Sequence, residues 1–73
     1  MSGLAEVQAI AWRWIAAYVA DKGHSPSLEE IRAGLGWASK SRAFDVVNDL
    51  CERGYISHTA HRARTIEVLR WPP

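Results

Sequence analysis

Several features that specialised proteins need are scarce in this chain. A single cysteine, Cys51, cannot form an intramolecular disulfide, which excludes a disulfide framework and suits a reducing compartment. No apolar run reaches the roughly 18 residues of a membrane span, and no basic segment precedes an apolar one as in a secretory signal. Repeats and low-complexity tracts are absent as well. With 73 residues, the chain is expected to form one soluble, intracellular domain over residues 1 to 73.

The residue patterns of enzymes and metal centres are also missing. No Gly-rich phosphate loop follows a strand, and no pair of carboxylates lies in a predicted cleft. Cys51 falls on the apolar side of a predicted helix, where it is expected to be a small core residue. His58 and His61 lie in a loop without the second pair of ligands that zinc needs, and His24 lies in a connector. We therefore expect no enzyme activity, no cofactor and no metal.

Three helices are predicted instead, because apolar residues recur every three or four positions. They cover about residues 4 to 21, 28 to 35 and 40 to 53. Gly23 suits the left-handed end of helix 1, and Ser27 with Glu30 forms a capping box at the start of helix 2. Gly36 supplies the next turn, and Ser39 or Ser41 can cap helix 3. A short helix, a glycine turn and a second capped helix form a helix-turn-helix.

After Gly54 the period of the apolar residues changes from 3.6 to 2, which predicts two strands at residues 55 to 58 and 65 to 69. The loop between them lacks the tight-turn dipeptides of a short hairpin, so it is expected to be long, with basic groups at its tip. The hairpin, about residues 55 to 69, resembles a wing. We expect Trp71 to fold back onto the core. The predicted fold class is mainly α (α+β): a three-helix winged helix-turn-helix with a C-terminal two-stranded β-hairpin wing.

The distribution of charge says more than the net charge of +1. Residues 38 to 42 and 58 to 64 contain no acid, and they hold the basic or titratable side chains of Lys40, Arg42, His58, His61, Arg62 and Arg64. A local basic surface decides phosphate binding because salt screens charges beyond about 8 to 10 Å. Both segments are therefore candidates for contact with nucleic acid, with an ordinary solvated surface as the alternative.

Residues 4 to 69 resemble the amino-terminal winged-helix domain of the LexA family of repressors. The matching positions are Gln8, Ile15, Gly23, Pro26, Glu30, Ile31, Leu35, Gly36, Trp37, Ser39, Ala43, Leu50, Arg53, Gly54, Ile56 and Ile66. Their spacing agrees without gaps up to the wing. The resemblance implies operator binding and repression by a cytoplasmic protein of a bacterial cell or a phage-infected host.

The resemblance also implies which positions contact DNA at the start of helix 3. Ser39 keeps the residue typical of the family. The family usually has Asn, Ala and two Glu at the positions held here by Ser41, Arg42, Phe44 and Asp45, so its operator does not transfer. By chemistry, Arg42 suits guanine, Asn48 suits adenine and Phe44 suits a thymine methyl. The candidate DNA-binding residues are Ser39, Lys40, Ser41, Arg42, Phe44, Asp45, Asn48, His61, Arg62 and Arg64.

A protein target is the alternative to DNA. Asp45, Asp49 and Glu52 share a face of helix 3, where carboxylates would repel phosphates. The apolar arc of helix 1 is wide, and its large side chains either cover the small core or form a protein interface, for which Ile10, Trp14 and Phe44 are the candidates. The alternative function is a phage or mobile-element inhibitor, for example an anti-CRISPR protein, that binds a host protein or a ribonucleoprotein complex.

LexA-like repressors carry a second domain that dimerises and cleaves itself, and the residues up to Pro73 leave no room for it. We therefore expect no self-cleavage from this chain. Reading a palindrome requires two copies, so helix 1 or Trp71 would have to supply a homodimer contact, or binding would be weak and monomeric. Whether the chain is a full-length protein or an excised domain stays open.

Overall fold

The computed structural model describes residues 4 to 59 and 62 to 73. In that part of the chain, three helices precede two antiparallel strands: α1 Glu6–Lys22, α2 Leu28–Leu35, α3 Lys40–Glu52, β1 Ile56–Ser57 and β2 Glu67–Val68. Ile56 pairs with Val68, and Ser57 pairs with Glu67. The predicted fold class, a three-helix winged helix-turn-helix, is confirmed. None of the described helices is long and apolar enough to span a membrane.

The two strands are shorter than the sequence pattern predicts because side chains replace the ladder beyond Ser57. Thr59 donates its backbone N–H to Oγ1 of Thr65 at 2.8 Å. The hydroxyl of Thr65 lies 3.1 Å from the carbonyl oxygen of Arg62, in position to donate to it. Thr65 therefore closes the base of the wing loop with its side chain rather than with further strand pairing.

The helix ends follow local hydrogen bonds. Gly23 ends α1 in the left-handed region at φ 79°, where its N–H donates to the carbonyl of Val19. Ser27 accepts from the N–H of Glu30 at 3.1 Å, and the Glu30 carboxylate accepts from the N–H of Ser27 at 2.9 Å. The predicted capping box is thus present at the start of α2. Ser39 is the N-cap of α3, with its Oγ 3.4 Å from the Arg42 nitrogen.

One cluster of buried side chains joins all three helices to the hairpin. Its members are Ala11, Ile15, Ile31, Ala43, Val47, Leu50, Ile56 and Ile66. Because these residues lie at helical spacing on their helices, each helix buries one stripe and leaves the opposite side to solvent. The exposed side of α3 is therefore fixed by the apolar stripe of the same helix.

The large aromatic residues of α1 cover this core. Trp12 donates its indole N–H to the carbonyl of Arg70 at 2.7 Å, and its ring meets Tyr55 edge-on at 4.9 Å. Trp14 lies against Gly34 so closely that a Cβ at that glycine would be 2.7 Å from Cε2 of the indole. Both tryptophans thus pack within the described chain, whereas Ile10 is 46% exposed.

The prediction that Trp71 folds back onto the core is wrong, because this side chain is 54% exposed. Arg70 makes the contacts instead: its carbonyl accepts from Trp12, and its guanidinium lies 4.9 Å from the centre of the Tyr55 ring. Leu69 and Trp71, on either side of Arg70, are both more than half exposed.

Candidate nucleic-acid interface

The first turn of α3 presents polar side chains and no acid. Lys40, Ser41 and Arg42 are all exposed there, next to the N-cap Ser39. Free backbone N–H groups and the helix dipole make a helix N-terminus favourable for anions, and Lys40 and Arg42 add positive charge. This turn has the chemistry needed to hold a phosphate and to reach a base edge.

Arg42 lies over an aromatic ring, and no carboxylate of the described residues forms an ion pair with it. Its guanidinium carbon lies 5.1 Å from the centre of the Trp37 ring. Trp37 precedes α3 in the turn, and its backbone N–H donates to the carbonyl of Arg32 at 2.9 Å. Nη1 of Arg32 in turn donates to the carbonyl of Trp37, also at 2.9 Å. In the sequence Trp37 stands out only as an aromatic residue that matches the family, and no sequence signal marks its contact with Arg42.

Arg32 is itself held by Glu29, one turn earlier in α2. Its Nε and Nη2 atoms donate to the two carboxylate oxygens at 2.9 and 2.6 Å. This bond holds the pKa of Glu29 below its ordinary value and raises the pKa of Arg32. Glu29, Arg32 and Trp37, which we call the turn brace, therefore connect α2 to the start of α3.

Phe44 lies beside a groove of about 250 Å³ between α2, α3 and the wing. Leu28 and Ile66 contribute apolar surface to the groove, while Lys40 and Arg62 contribute positive charge. Phe44 is 37% exposed, so it is neither a core residue nor fully free. The start of α3 and the wing, which are predicted to bind DNA together, both line this groove.

Further along α3, two of the predicted contact residues have different surroundings. Asp45 is exposed. Asn48 is half-buried, and its Oδ1 accepts from the Nε2 of His58 at 3.1 Å, which ties α3 to the base of the wing. Asp49 is paired with Arg53 at 3.3 Å. Reading of adenine by Asn48 stays a prediction, and it would require this amide to leave His58.

The two described arginines of the wing differ sharply. Arg62 is exposed and lines the groove, and among the described residues it forms no ion pair. Arg64 has a left-handed backbone at φ 59°, and its Nη1 and Nη2 atoms each donate to Glu30 at 2.9 Å. His61, also predicted to contact DNA, lies outside the described residues. Contacts of Arg62 and Arg64 with DNA stay predictions. Of these two side chains, Arg64 is already bonded to a carboxylate, that of Glu30.

Glu30 is the centre of a second set of contacts, which we call the wing latch: Tyr18, Ser25, Ser27, Glu30 and Arg64. Besides Arg64, its carboxylate accepts from the Ser27 N–H at 2.9 Å and from the Tyr18 hydroxyl at 3.1 Å. Arg64 also donates to the carbonyl of Ser25 at 3.1 Å. The Arg64 bond, followed by the Ser27 N–H, lowers the pKa of Glu30 to about 2.

The capping role of Glu30 could be predicted from the sequence, but its role as the partner of the wing could not. The only sequence signal was the capping box, which concerns neighbours three residues apart. The described part of the chain contains no group of three or more metal-ligating side chains. Cys51 is half-buried, and burial raises the pKa of its thiol, as expected for an unreactive side chain.

Comparison with known proteins gives the family of this chain. Residues 1–65 match the LexA DNA binding domain. A LexA repressor from Granulibacter bethesdensis is 46% identical over 50 residues, covering 68% of this chain and 21% of that protein. A LexA repressor from Rhodospirillum rubrum is 46% identical over 50 residues, covering 68% of the chain and 20% of the relative.

A third relative, a LexA repressor from Desulfatibacillum aliphaticivorans, is 34% identical over 73 residues, covering 100% of the chain and 36% of the relative. The chain thus spans between 20% and 36% of the length of these three relatives. The family match covers the helices, the turn brace and the loop up to the second strand. The chain belongs to the LexA DNA-binding domain family.

Proposed function

We propose that this chain is a sequence-specific DNA-binding module of a transcriptional repressor. In this proposal α3 enters the major groove, and the wing lies on the adjacent backbone of the duplex. The family supports DNA as the partner, since all three relatives are repressors by name. Two copies bound to a palindromic site would supply the affinity and specificity that one small module lacks.

One observation carries the proposal. The first turn of α3 contains no acid, and it shares a groove with Arg62 of the wing. Lys40 and Arg62 line this groove from opposite elements, so both can approach the same phosphate backbone while Ser41 and Arg42 face the bases. The carboxylates that oppose DNA binding are partly neutralised, because Asp49 pairs with Arg53. Asp45 is left as an acceptor suited to the amino group of cytosine.

Within this proposal the basic residues of the wing have separate tasks. Arg62 is assigned to the phosphate backbone, because it is exposed and has no carboxylate partner in the described chain. Arg64 is assigned to holding the wing on α2 through Glu30, since its Nη1 and Nη2 atoms already donate to the two carboxylate oxygens. The wing therefore presents one described arginine to DNA rather than two.

The test is selection of duplexes from a random pool with the purified chain, at low and at near-physiological salt. We expect an enriched site, with affinity that falls steeply with salt because bound phosphates release counterions. Substitution Arg62→Ala should weaken binding to all duplexes similarly, and Arg13→Ala on the outer side of α1 serves as the control. If no sequence is enriched and binding vanishes at moderate salt, the proposal fails.

Exposure of Ile10 and Phe44 favours a second candidate, an inhibitor that uses this scaffold to bind a protein or ribonucleoprotein complex, as a phage-encoded protein would. Trp14 does not add to it, because its indole is packed on Gly34. The candidate predicts that Phe44→Ser abolishes the inhibition of a defined target complex without changing DNA affinity. Duplex selection that succeeds and depends on α3 would remove the need for this candidate.

A further inference from the structure

We propose that Arg42 selects a guanine in the DNA site and that Trp37 is the positioning residue that holds Arg42 ready to do so. The inference rests on the proposed function, because it assigns one base of the site to one side chain of α3. It starts from the stack of the Arg42 guanidinium on the Trp37 ring, with 5.1 Å between the guanidinium carbon and the ring centre.

Within the described residues the Arg42 guanidinium forms no side-chain hydrogen bond, so its N–H donors are available to a ligand. A guanidinium is planar, and these donors point outward in its plane. Three other arginines already use N–H donors in ion pairs: Arg32 with Glu29, Arg53 with Asp49 and Arg64 with Glu30. Arg42 lies over the Trp37 ring instead and forms no ion pair within the described residues.

Trp37 is itself immobilised by the turn brace. Both its backbone N–H and its carbonyl are bonded to Arg32, at 2.9 Å each, and Arg32 is fixed by both oxygens of Glu29. Its ring packs against the hydrophobic core. A side chain stacked on such a platform loses less rotamer freedom on binding than a free arginine, so more of the binding free energy remains for discrimination between bases.

Guanine is the base that matches this edge. In the major groove it presents two acceptors, N7 and O6, which fit the two parallel N–H donors of an arginine. Adenine presents one acceptor and one donor at the same place, and the donor opposes the guanidinium. A first-turn residue of α3 is also well placed, because helix-turn-helix proteins read bases with the N-terminal residues of this helix.

The experiment uses the full chain and the duplex enriched from the random pool. Each guanine of the site is replaced in turn by adenine and by 7-deazaguanine, which lacks the N7 acceptor, and affinity is measured by fluorescence anisotropy. We expect one guanine per half-site at which adenine costs about 5- to 150-fold in affinity. Arg42→Ala should make that position indifferent to all these replacements, while the other positions keep their preferences.

Two further variants test the positioning role. Trp37→Leu keeps an apolar side chain but removes the ring, and it should reduce the preference for guanine while the salt dependence of binding stays unchanged. Trp37→Phe keeps a smaller ring and should retain most of the preference, which guards against a variant that merely misfolds. Arg70→Ala is the matched control, because Arg70 also stacks on a ring, that of Tyr55, beyond the other end of α3.

The outcomes separate this inference from the proposed function. If a site is enriched but Arg42→Ala leaves its guanine preferences intact, the assignment to Arg42 is overturned and DNA binding stands. If Arg42→Ala abolishes the preference but Trp37→Leu keeps it in full, the positioning role of Trp37 is overturned. If no duplex is enriched, the proposed function fails, and this inference fails with it.

Discussion

Two neighbouring carboxylates on α2 hold the two parts of the proposed interface, the start of α3 and the wing. Their partners lie at very different distances along the chain. Glu29 holds Arg32, three residues away, and through it the turn that leads to α3. Glu30 holds Arg64, which is 34 residues away in the wing. The turn brace is thus made of local contacts, whereas the wing latch depends on the tertiary fold.

The difference shows how one short helix can set the geometry of a whole surface. On the side of the turn brace, every bond forms within one segment, so it can exist as soon as α2 and its turn exist. The wing latch forms only after the hairpin has packed on the core, because Arg64 must approach Glu30 and Ser25 together. We therefore expect the wing latch to be the more sensitive of the two to global stability.

The largest effect is expected from Ile31→Ala, which should destabilise the turn brace and the wing latch together. Ile31 follows both carboxylates on α2 and is fully buried in the core. Removal of a buried isoleucine side chain to alanine costs about 2 to 5 kcal/mol of unfolding free energy, a large share for a chain of this size. Urea denaturation followed by circular dichroism measures it, with the exposed Ala33→Ser on the same helix as the control. A loss below about 1 kcal/mol would contradict the packing described here.

Next in size is the difference between Glu30→Gln and Glu29→Gln. Glu30 bonds Arg64, Ser27 and Tyr18, whereas Glu29 bonds Arg32 alone, so Glu30→Gln should lower the melting temperature more. The pKa of Glu30 is about 2 in the folded chain and about 4.3 for an unfolded glutamate. Its contribution is therefore complete above about pH 5 and is lost as the pH falls towards 2.

Thermal melts at pH 7, 5, 3 and 2 measure this comparison. The gap in melting temperature between the wild-type chain and Glu30→Gln should be widest at pH 5 to 7 and close as Glu30 becomes protonated. An equal gap at every pH would mean that the charge of Glu30 does not matter to the wing latch.

A smaller but more specific effect separates the two wing arginines in DNA binding. Arg62→Gln should reduce the slope of log K against log salt by about 1, because one phosphate contact is lost. Arg64→Gln should weaken binding through a displaced wing and leave the slope nearly unchanged, since its charge is already paired with Glu30. Equal changes of slope for the two variants would show that Arg64 leaves the wing latch to contact DNA.

The smallest effects are expected at the helix caps. Ser27→Ala should cost about 1 kcal/mol, and Ser39→Ala about 0.5 kcal/mol, of unfolding free energy. Ser27 has a bond of 3.1 Å and a reciprocal bond to the Glu30 carboxylate, whereas within the described chain the side chain of Ser39 makes one bond, 3.4 Å long. Urea titrations of both variants, with Ser27→Thr as a conservative control, measure the difference. The reverse order of the two losses would contradict it.

Most of the fold could be predicted from the sequence, and the exceptions have physical causes. The three helices and their capping residues Ser27 and Ser39 follow from side chains within four residues of each other. The wing was predicted too, but its strands are shortened because Thr65 satisfies the backbone of Thr59 with its hydroxyl. Trp71 was misplaced because an aromatic side chain near a terminus suggests burial, whereas Arg70 occupies the contact with α1.

The candidate site was predicted less well than the fold. The basic residues could be identified from the distribution of charge along the chain, and Arg42 from its place at the start of helix 3. Nothing in the sequence distinguished Arg62 from Arg64, or showed that Arg42 lies over Trp37. Asn48 was assigned by its chemistry to adenine, while in the structure its amide oxygen is bonded to His58. Such assignments fail when a polar side chain has a partner that is distant in sequence.

The sequence alone determined the helices, their ends, the apolar stripes and hence which side of α3 faces solvent. These features depend on backbone hydrogen bonds and on spacings of three and four residues, which any chain with this pattern must satisfy. Only the tertiary structure decided which charges on the exposed surface are free. Whether an arginine meets a carboxylate or an aromatic ring depends on how the wing and α1 approach α2, because such partners lie far apart in the chain and are brought together by burial of the core.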